Sequence, residues 1–253
     1  MQQINLTGKV ALVTGGSRGL GRAMSIGLAA AGAAVVVASR KLDACESVVA
    51  EIEAAGGSAF PIAAHTGRTE ELDALIKGAL GHYGRVDILI NNAGISPAWG
   101  GLGELSPELF HKMFDVNTMG PWYLASRLAP HMAEQGGGVV VNVISVAALK
   151  PPANMGFYAA TKAALQAMTK VMAAEWAPLK IRVNNLAPGN YHSDLFDSAA
   201  QNPAYLQGAI DACLQKRVAE TEEILGPLLY LVSDMSAFTT GATLVSDGGF
   251  MVQ

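Results

Sequence analysis

Cysteine is scarce in this sequence, charge is sparse and basic residues never cluster. The two cysteines, Cys45 and Cys213, lie far apart with neither CxxC nor Cys/His spacing. That excludes a disulfide framework and a thiolate metal site, so no metal is expected, and it fits reduced thiols in a cytoplasmic protein. Charged residues make up 15% of the chain, and 17 Lys and Arg against 21 Asp and Glu leave a net charge of −4. With no Lys/Arg run, nucleic acid is excluded as the main partner. The longest apolar run, "IGLAAAGAAVVVA", contains two glycines and falls short of the ~20 residues that a membrane span needs. The opening "MQQINLTGKVALVTGG" has no basic segment followed by an apolar one, so no secretion signal is expected. What is abundant is apolar: 51% of residues are hydrophobic while only 6% are aromatic. That is ample material for the core of one larger α/β domain.

β-Branched runs at 9–15, 33–39, 86–94, 138–145 and 181–189 read as buried strands, with weaker candidates at 58–64 and 242–249. Helix-period segments lie between them, at 19–31, 41–55, 69–83, 105–134, 156–177 and 222–233, with a less clear pattern over 194–216. Strand and helix alternate throughout, and near-continuous apolar strands imply a sheet covered on both faces. The expected fold is therefore α/β: a single doubly wound, Rossmann-like parallel sheet with helices on both faces, spanning 1–253 as one domain. Ligands are expected at the carboxyl ends of the strands.

The first strand runs into "TGGSRGLGRA", which places Gly15, Gly19 and Gly21 at a strand-to-helix turn. Glycine there permits tight backbone geometry and lets amide N–H groups approach a pyrophosphate at the helix N-terminus. The spacing G-x-x-x-G-x-G departs from the commoner G-x-G-x-x-G. At the end of the second strand an acid would hydrogen-bond an NAD ribose, whereas an arginine accommodates a 2′-phosphate. This chain has "VVVASRK", with Ser39 at the acid's place followed by Arg40, and Arg18 stands in the glycine loop. A guanidinium binds phosphate where a carboxylate would repel it, so NADP(H) is favoured over NAD(H).

Further along come "NNAG" (91–94), "VNTMG" (116–120), Ser145 at the end of the fifth strand, "YAATK" (158–162), "LAPG" (186–189) and "SDGG" (246–249). Taken singly, each has an ordinary structural explanation. In this order and spacing, together with the glycine pattern, they resemble the short-chain dehydrogenase/reductase family over the whole chain. The resemblance implies a catalytic tetrad of Asn117, Ser145, Tyr158 and Lys162. Tyr158 would be the general acid/base for a carbonyl oxygen, and Ser145 would hydrogen-bond that oxygen. Lys162 would grip the nicotinamide ribose, and Asn117 would hold a relay water. Two unit charges ~4 Å apart at an effective dielectric of ~20 interact by ~4 kcal/mol. A lysine ammonium beside the phenol would therefore lower its pKa by ~2–3. The cofactor-binding residues so implied are Gly15, Ser17, Arg18, Gly19, Leu20 and Gly21 in the first turn, Ser39 and Arg40 after the second strand, and His65 after the third. Asn92, Ala93 and Gly94 follow the fourth strand. Tyr158, Lys162, Pro188, Gly189, Tyr191 and Ser193 complete the set.

Three departures from the family pattern stand out. His65 replaces an acid that often contacts the adenine edge, which implies altered adenine contacts. Ile144 replaces a serine before the catalytic one. Tyr191 and Ser193 stand where Val or Ile and Thr are common, and Tyr191 is expected to add bulk beside the nicotinamide. Besides His65, His192 is singled out, because His82, His111 and His131 fall on helices as surface or packing residues, and Asp247 reads as structural. The substrate pocket is expected to involve Ser96, Trp99, Met155, Tyr191, Leu195 and Phe196. Lys150 is a weak candidate for an anionic group, so the substrate is expected to be a neutral, apolar ketone or alcohol. The alternatives are a 3-oxoacyl-thioester reductase, a polyol or sugar dehydrogenase and a non-catalytic dinucleotide sensor or scaffold. A homotetramer or homodimer, formed through the two long helices and the apolar "GGFMVQ", is the expected assembly.

Overall fold

The computed structural model describes residues 4–97 and 100–252. Seven strands among them form one parallel sheet: β1 (Val10–Thr14), β2 (Ala34–Ser39), β3 (Ser58–Ala63), β4 (Ile88–Asn91), β5 (Gly138–Val143), β6 (Ile181–Pro188) and β7 (Thr243–Ser246). Their order is β3-β2-β1-β4-β5-β6-β7. The chain winds outward from β1 to β3, then returns to place β4 on the other side of β1. This reversal opens a crevice at the carboxyl ends of β1 and β4. The weaker candidates, 58–64 and 242–249, form the two edge strands, where apolar demand is lower.

Strand residues alternate between two cores, as the two-residue period of a strand requires. Ala11, Val13, Val35, Val37, Ile88, Ile90, Val141 and Val143 face one layer, which is closed by α1 (Gly19–Ala30), α2 (Leu42–Ala54) and α9 (Leu225–Val232). Val10, Leu12, Val36, Leu89, Val140 and Val183 face the other, which is closed by α3 (Thr69–Tyr83), α5 (Gly120–Glu134) and α6 (Gly156–Trp176). The expected doubly covered parallel sheet is what forms. Of the described helices, none is long and apolar enough to cross a membrane.

The segment expected as one helix over 105–134 is broken. α4 (Pro107–Phe114) leads into a π-helical turn, Asp115–Met119, before α5 begins, and the Gly120 N–H reaches back to the Asp115 carbonyl. Two residues account for the wider turn. Pro121 has no N–H to give, and its ring crowds the carbonyl four residues earlier, that of Asn117. A Cβ at Gly120 would collide with the Thr66 carbonyl, so only glycine lets α5 start this close to the loop after β3. The 194–216 segment is likewise two pieces, α7 (Asp194–Ala200) and α8 (Pro203–Asp211), split before Pro203.

Candidate active site

Ser145 leaves the carboxyl end of β5 in extended backbone, and its Oγ accepts the Ala147 N–H at 3.1 Å as the cap of a short 3₁₀ turn. Tyr158 lies in the first turn of α6 and is half-buried, with its phenol hydrogen-bonded to Ser145. One turn on, Lys162 is 3% exposed. Its Nζ donates to the Val143 carbonyl at 2.8 Å and sits 5.9 Å from the centre of the Tyr158 ring. The sheet and α6 thus bring Ser145, Tyr158 and Lys162 together at the strand ends. Asn117, in the π turn, is fully buried. Its Oδ1 accepts the Ile95 N–H at 2.8 Å, while Nδ2 donates to the Ile95 carbonyl at 2.9 Å and to Thr161 Oγ1 at 3.1 Å. Thr161 Oγ1 in turn donates to the Tyr158 carbonyl at 2.7 Å.

The electrostatics differ from the sequence expectation. Burial raises the Tyr158 phenol above its ordinary value, opposed by the Ser145 hydrogen bond. Burial lowers the Lys162 ammonium to about 8. The ammonium is committed to a backbone carbonyl rather than to the phenol oxygen, so desolvation outweighs the Coulombic effect expected from the i, i+4 spacing. The phenol is held neutral, loaded as a proton donor. The Asn117 carboxamide uses both of its hydrogens and an oxygen lone pair on Ile95 and Thr161, so it acts here as a clamp joining α6 to the loop after β4.

These side chains, in this order on this topology, match known proteins. The family model described as short chain dehydrogenase matches residues 9–204. Dehydrogenase/reductase SDR family member 4 of Bos taurus is 39% identical over 245 residues, covering 96% of this chain and 88% of its own length. The chain belongs to the short-chain dehydrogenase family. Among solved structures, a gluconate 5-dehydrogenase from Burkholderia cenocepacia in complex with NADP and tartrate superposes with a TM-score of 0.95 at 31% identity. That match covers 99% of this chain and 98% of the other. A 7 alpha-hydroxysteroid dehydrogenase complexed with NADH and 7-oxo glycochenodeoxycholic acid superposes with a TM-score of 0.94 at 33% identity, covering 98% of this chain and 96% of the other.

A short-chain dehydrogenase binds a nicotinamide dinucleotide, and the crevice fits one. Gly15 and Gly19 have φ of +63° and +50°, which favours glycine, and a Cβ at Gly21 would run into the Gly15 carbonyl. Arg18 gives α1 no side-chain cap, so the N–H groups of Gly19, Leu20 and Gly21 remain at the helix start as anion donors. A Cβ at Gly19 would stand 3.6 Å from Ser193 Cβ, so the glycine loop and the loop after β6 form facing walls. Arg18 and Arg40 are exposed, and Ser17 lies between Gly16 and Arg18. Ser39 Oγ sits 3.1 Å from Cys45 Sγ and donates to the Lys41 carbonyl at 3.2 Å.

Asn92 Nδ2 donates to the carbonyls of Thr14 and Gly15 at 3.0 and 3.2 Å, pinning the glycine loop to the end of β4. Thr14 Oγ1 receives the N–H groups of Asn92 and Ala93, each at 3.1 Å. The motif reading passed over Thr14, although a lone polar residue closing "VALVT" was the available signal. A Cβ on Gly94 would come within 3.3 Å of Lys162 Nζ. His65 Nδ1 accepts the Gly67 N–H at 3.1 Å, which leaves Nε2–H as the donor of the neutral ring. Gly189 donates its N–H to the Ser246 carbonyl at 2.9 Å, seating the Pro188–Gly189 corner beside β7.

One expectation is corrected. Tyr191 does not add its bulk beside the catalytic residues: its side chain is 5% exposed, packs in the core with Val143, Leu186 and Ile224, and bonds Ser246 Oγ at 2.6 Å. A parallel bridge to Ala219 ties its backbone to the segment before α9, and the side chain turns inward. Ser193 Oγ caps α7 by accepting the Phe196 N–H at 3.3 Å. His192 Nδ1 meets Asp197 Oδ1 at 2.8 Å. Phe196 is buried at 5.8 Å from the Tyr205 ring, and the chain at Leu195 belongs to α7. Ser96 is buried, and its Oγ has no hydrogen-bond partner among the described residues. Met155 precedes α6, in a loop joined to the one after β4 by the Gly100 N–H donating to the Asn154 carbonyl at 3.1 Å. Trp99 lies outside the described residues. Lys150 is engaged at the C-terminal turn, with its Nζ 3.4 Å from the Phe250 carbonyl and 5.0 Å from that ring's centre. Asp247 accepts the N–H groups of Gly249 and Met251, each at 2.8 Å, as a structural residue does.

Proposed function

We propose that this short-chain dehydrogenase is an NADP(H)-dependent carbonyl reductase (or secondary-alcohol dehydrogenase) in which Tyr158 is the general acid/base. The observation that carries the reading is the convergence of three side chains at the strand ends: the Tyr158 phenol, hydrogen-bonded to Ser145 and backed by buried Lys162. The nicotinamide, when bound, supplies or takes the hydride. Tyr158 gives its proton to the carbonyl oxygen of the substrate, and Ser145, bonded to the same phenol, steadies that oxygen. Lys162 holds positive charge beneath the ring and favours the phenolate left behind. The Asn117 clamp keeps the start of α6 at a fixed distance from the loop after β4. The water relay expected of Asn117 is assigned to its main-chain carbonyl, which Pro121 cannot bond.

NADP(H) over NAD(H) is supported by Ser39 in place of an acid and by the exposed Arg40 and Arg18. His65 presents Nε2–H to the adenine, a donor where an acid would be an acceptor. For the substrate, Ser96 offers a hydroxyl unpartnered among the described residues and Met155 and Phe196 an apolar wall, while Lys150 is tied to Phe250. These features support a neutral, apolar ketone. The likeness to a gluconate 5-dehydrogenase favours a second reading, a polyol or sugar acid. Exposed Phe110 and Trp122 on α4 and α5, and Val171 on α6, support assembly into a homotetramer or homodimer.

The test is absorbance-followed oxidation of NADPH and NADH with an aromatic ketone, a vicinal diketone, an aliphatic ketone, a keto-sugar and a 3-oxoacyl thioester. Turnover of the first two with NADPH, abolished in Tyr158→Phe with NADPH affinity intact, is the expected result. Turnover of the thioester or keto-sugar alone would replace the apolar-ketone reading, and activity retained by Tyr158→Phe would remove the acid/base assignment.

A further inference from the structure

The face of α6 that carries Tyr158 and Lys162 continues as a polar stripe. Gln166 and Thr169 follow at helical spacing, and Thr169 is fully buried. Thr169 Oγ1 accepts from Asn142 Nδ2 on β5 at 2.8 Å and lies 2.7 Å from Asn185 Oδ1 on β6. Both amides are oriented by further neighbours. Asn91 Nδ2 on β4 donates to Asn142 Oδ1 at 2.9 Å, which turns the Asn142 NH2 group toward Thr169. Asn185 Nδ2 donates to Thr243 Oγ1 on β7 at 3.2 Å, which turns the Asn185 oxygen toward Thr169. Gln166 Nε2 reaches the same Thr243 hydroxyl at 3.3 Å. Asn91, Asn142, Asn185 and Thr243 occupy matched register positions, so one polar row crosses four strands beneath the helix.

Apolar packing against the sheet is non-directional and tolerates a helix sliding along its axis. Hydrogen bonds do not, because their distance window is a few tenths of an ångström and their angles are restricted. Ser145 stands three residues beyond Asn142, just past the end of the same strand, and Val143, whose carbonyl receives Lys162, is next to Asn142. We propose that Thr169, held between Asn142 and Asn185, is a positioning residue that sets the height of α6 on the sheet and thereby the Tyr158–Ser145 and Lys162–Val143 contacts. The Thr169 hydroxyl has one hydrogen, and the Leu165 carbonyl of its own helix competes for it at 2.9 Å. The shorter approach to Asn185 ties that hydrogen to the strand.

The inference rests on the acid/base reading of Tyr158, and its test has a readout that does not need turnover. Thr169→Val keeps the shape and removes the hydroxyl. Its kcat is expected to fall by ~10-fold or more, as a misplacement near 1 Å would cause, with KM and the NADPH dissociation constant within about twofold. Thr169→Ser is expected to restore kcat. With tyrosine labelled at Cζ, the Tyr158 NMR signal, assigned by its loss in Tyr158→Phe, should titrate at higher pH in Thr169→Val as the Ser145 contact weakens. Asn185→Ser, which shortens the partner, should act in the same direction and carries the test if Thr169→Val does not fold. Unchanged kcat and an unmoved Tyr158 signal, with only a lower Tm, would overturn the proposal. If wild-type protein reduces no carbonyl compound, the functional reading fails, while the Tyr158 titration still decides the positioning role.

Discussion

Replacing Lys162 with methionine should change how the stability of the cofactor-free protein depends on pH. The ammonium is 3% exposed, and burial lowers its pKa from 10.5 to about 8. At ~1.36 kcal/mol per tenfold change in proton affinity, that fall represents ~3 kcal/mol of desolvation penalty at pH 7. The unfolded chain binds more protons than the folded one between the two pKa values, so wild-type stability rises with pH across that window. From pH 7 to pH 10 this group alone should return ~2–3 kcal/mol. Lys162→Met has no such group. It does unpair the Val143 carbonyl, at ~1–3 kcal/mol, but that cost is independent of pH. Urea unfolding of both proteins at pH 7, 8, 9 and 10 measures the difference in free energy at each pH. The variant's advantage should shrink by ~2–3 kcal/mol over the series, whatever its value at pH 7. A difference flat to within ~0.5 kcal/mol would refute the burial of a charged ammonium beneath Tyr158.

Other outcomes follow from the same geometry. Arg40→Asp should weaken NADPH binding by ~10-fold or more, through a lost cation and an added repulsion, and leave NADH binding nearly unchanged in a fluorescence titration; equal weakening of both would remove Arg40 from the 2′-phosphate. Gly21→Ala should abolish dinucleotide binding, because its methyl meets the Gly15 carbonyl, and calorimetry on the folded variant checks this. Ser96→Ala removes a buried hydroxyl unpartnered among the described residues and should raise apoprotein stability by ~1 kcal/mol while raising KM for the carbonyl substrate; a lower stability would mean that Oγ is already satisfied. Asp87 is buried, yet hydrogen bonds from Arg85 and from the Val10 N–H outweigh that burial and hold its carboxyl below the usual range. Asp87→Ala should therefore cost ~2–3 kcal/mol at pH 7. Because the folded pKa is depressed, that cost should fade as pH drops below the ordinary carboxylate value.

Much of the architecture could be read directly from residue order. β1 and β2 are runs of Val, Leu and Ala closed by one polar residue, and such runs are stable only when covered on both sides, as these two are. That Ser145 closes a strand and that Tyr158 and Lys162 share the first turns of a helix was legible, because strand end and helix start are local features; their roles came only with the family resemblance that the ordered motifs carry. Three things were not. The break at Asp115–Met119 depends on Gly120 meeting Thr66, a contact between distant segments. The inward turn of Tyr191 comes with its bridge to Ala219, which no local pattern announces. The neutral phenol depends on where Lys162 Nζ goes, and the i, i+4 spacing places the two residues on one face without saying that Val143 takes the ammonium.

The Thr14 hydroxyl receives two N–H groups from residues 78 and 79 positions further along the chain. The glycine loop therefore has no finished shape until β2 and β3 have been laid down and β4 has come back beside β1. A nascent chain that ends before Asn91 can form β1 and α1 but lacks the residues that pin their connection. The nucleotide cradle is thus not a separable module: excising the first βαβ unit as a minimal binding fragment would keep the loop's bonds to Ala38 and Ser25 and lose those that Asn92 and Ala93 make to it and to Thr14.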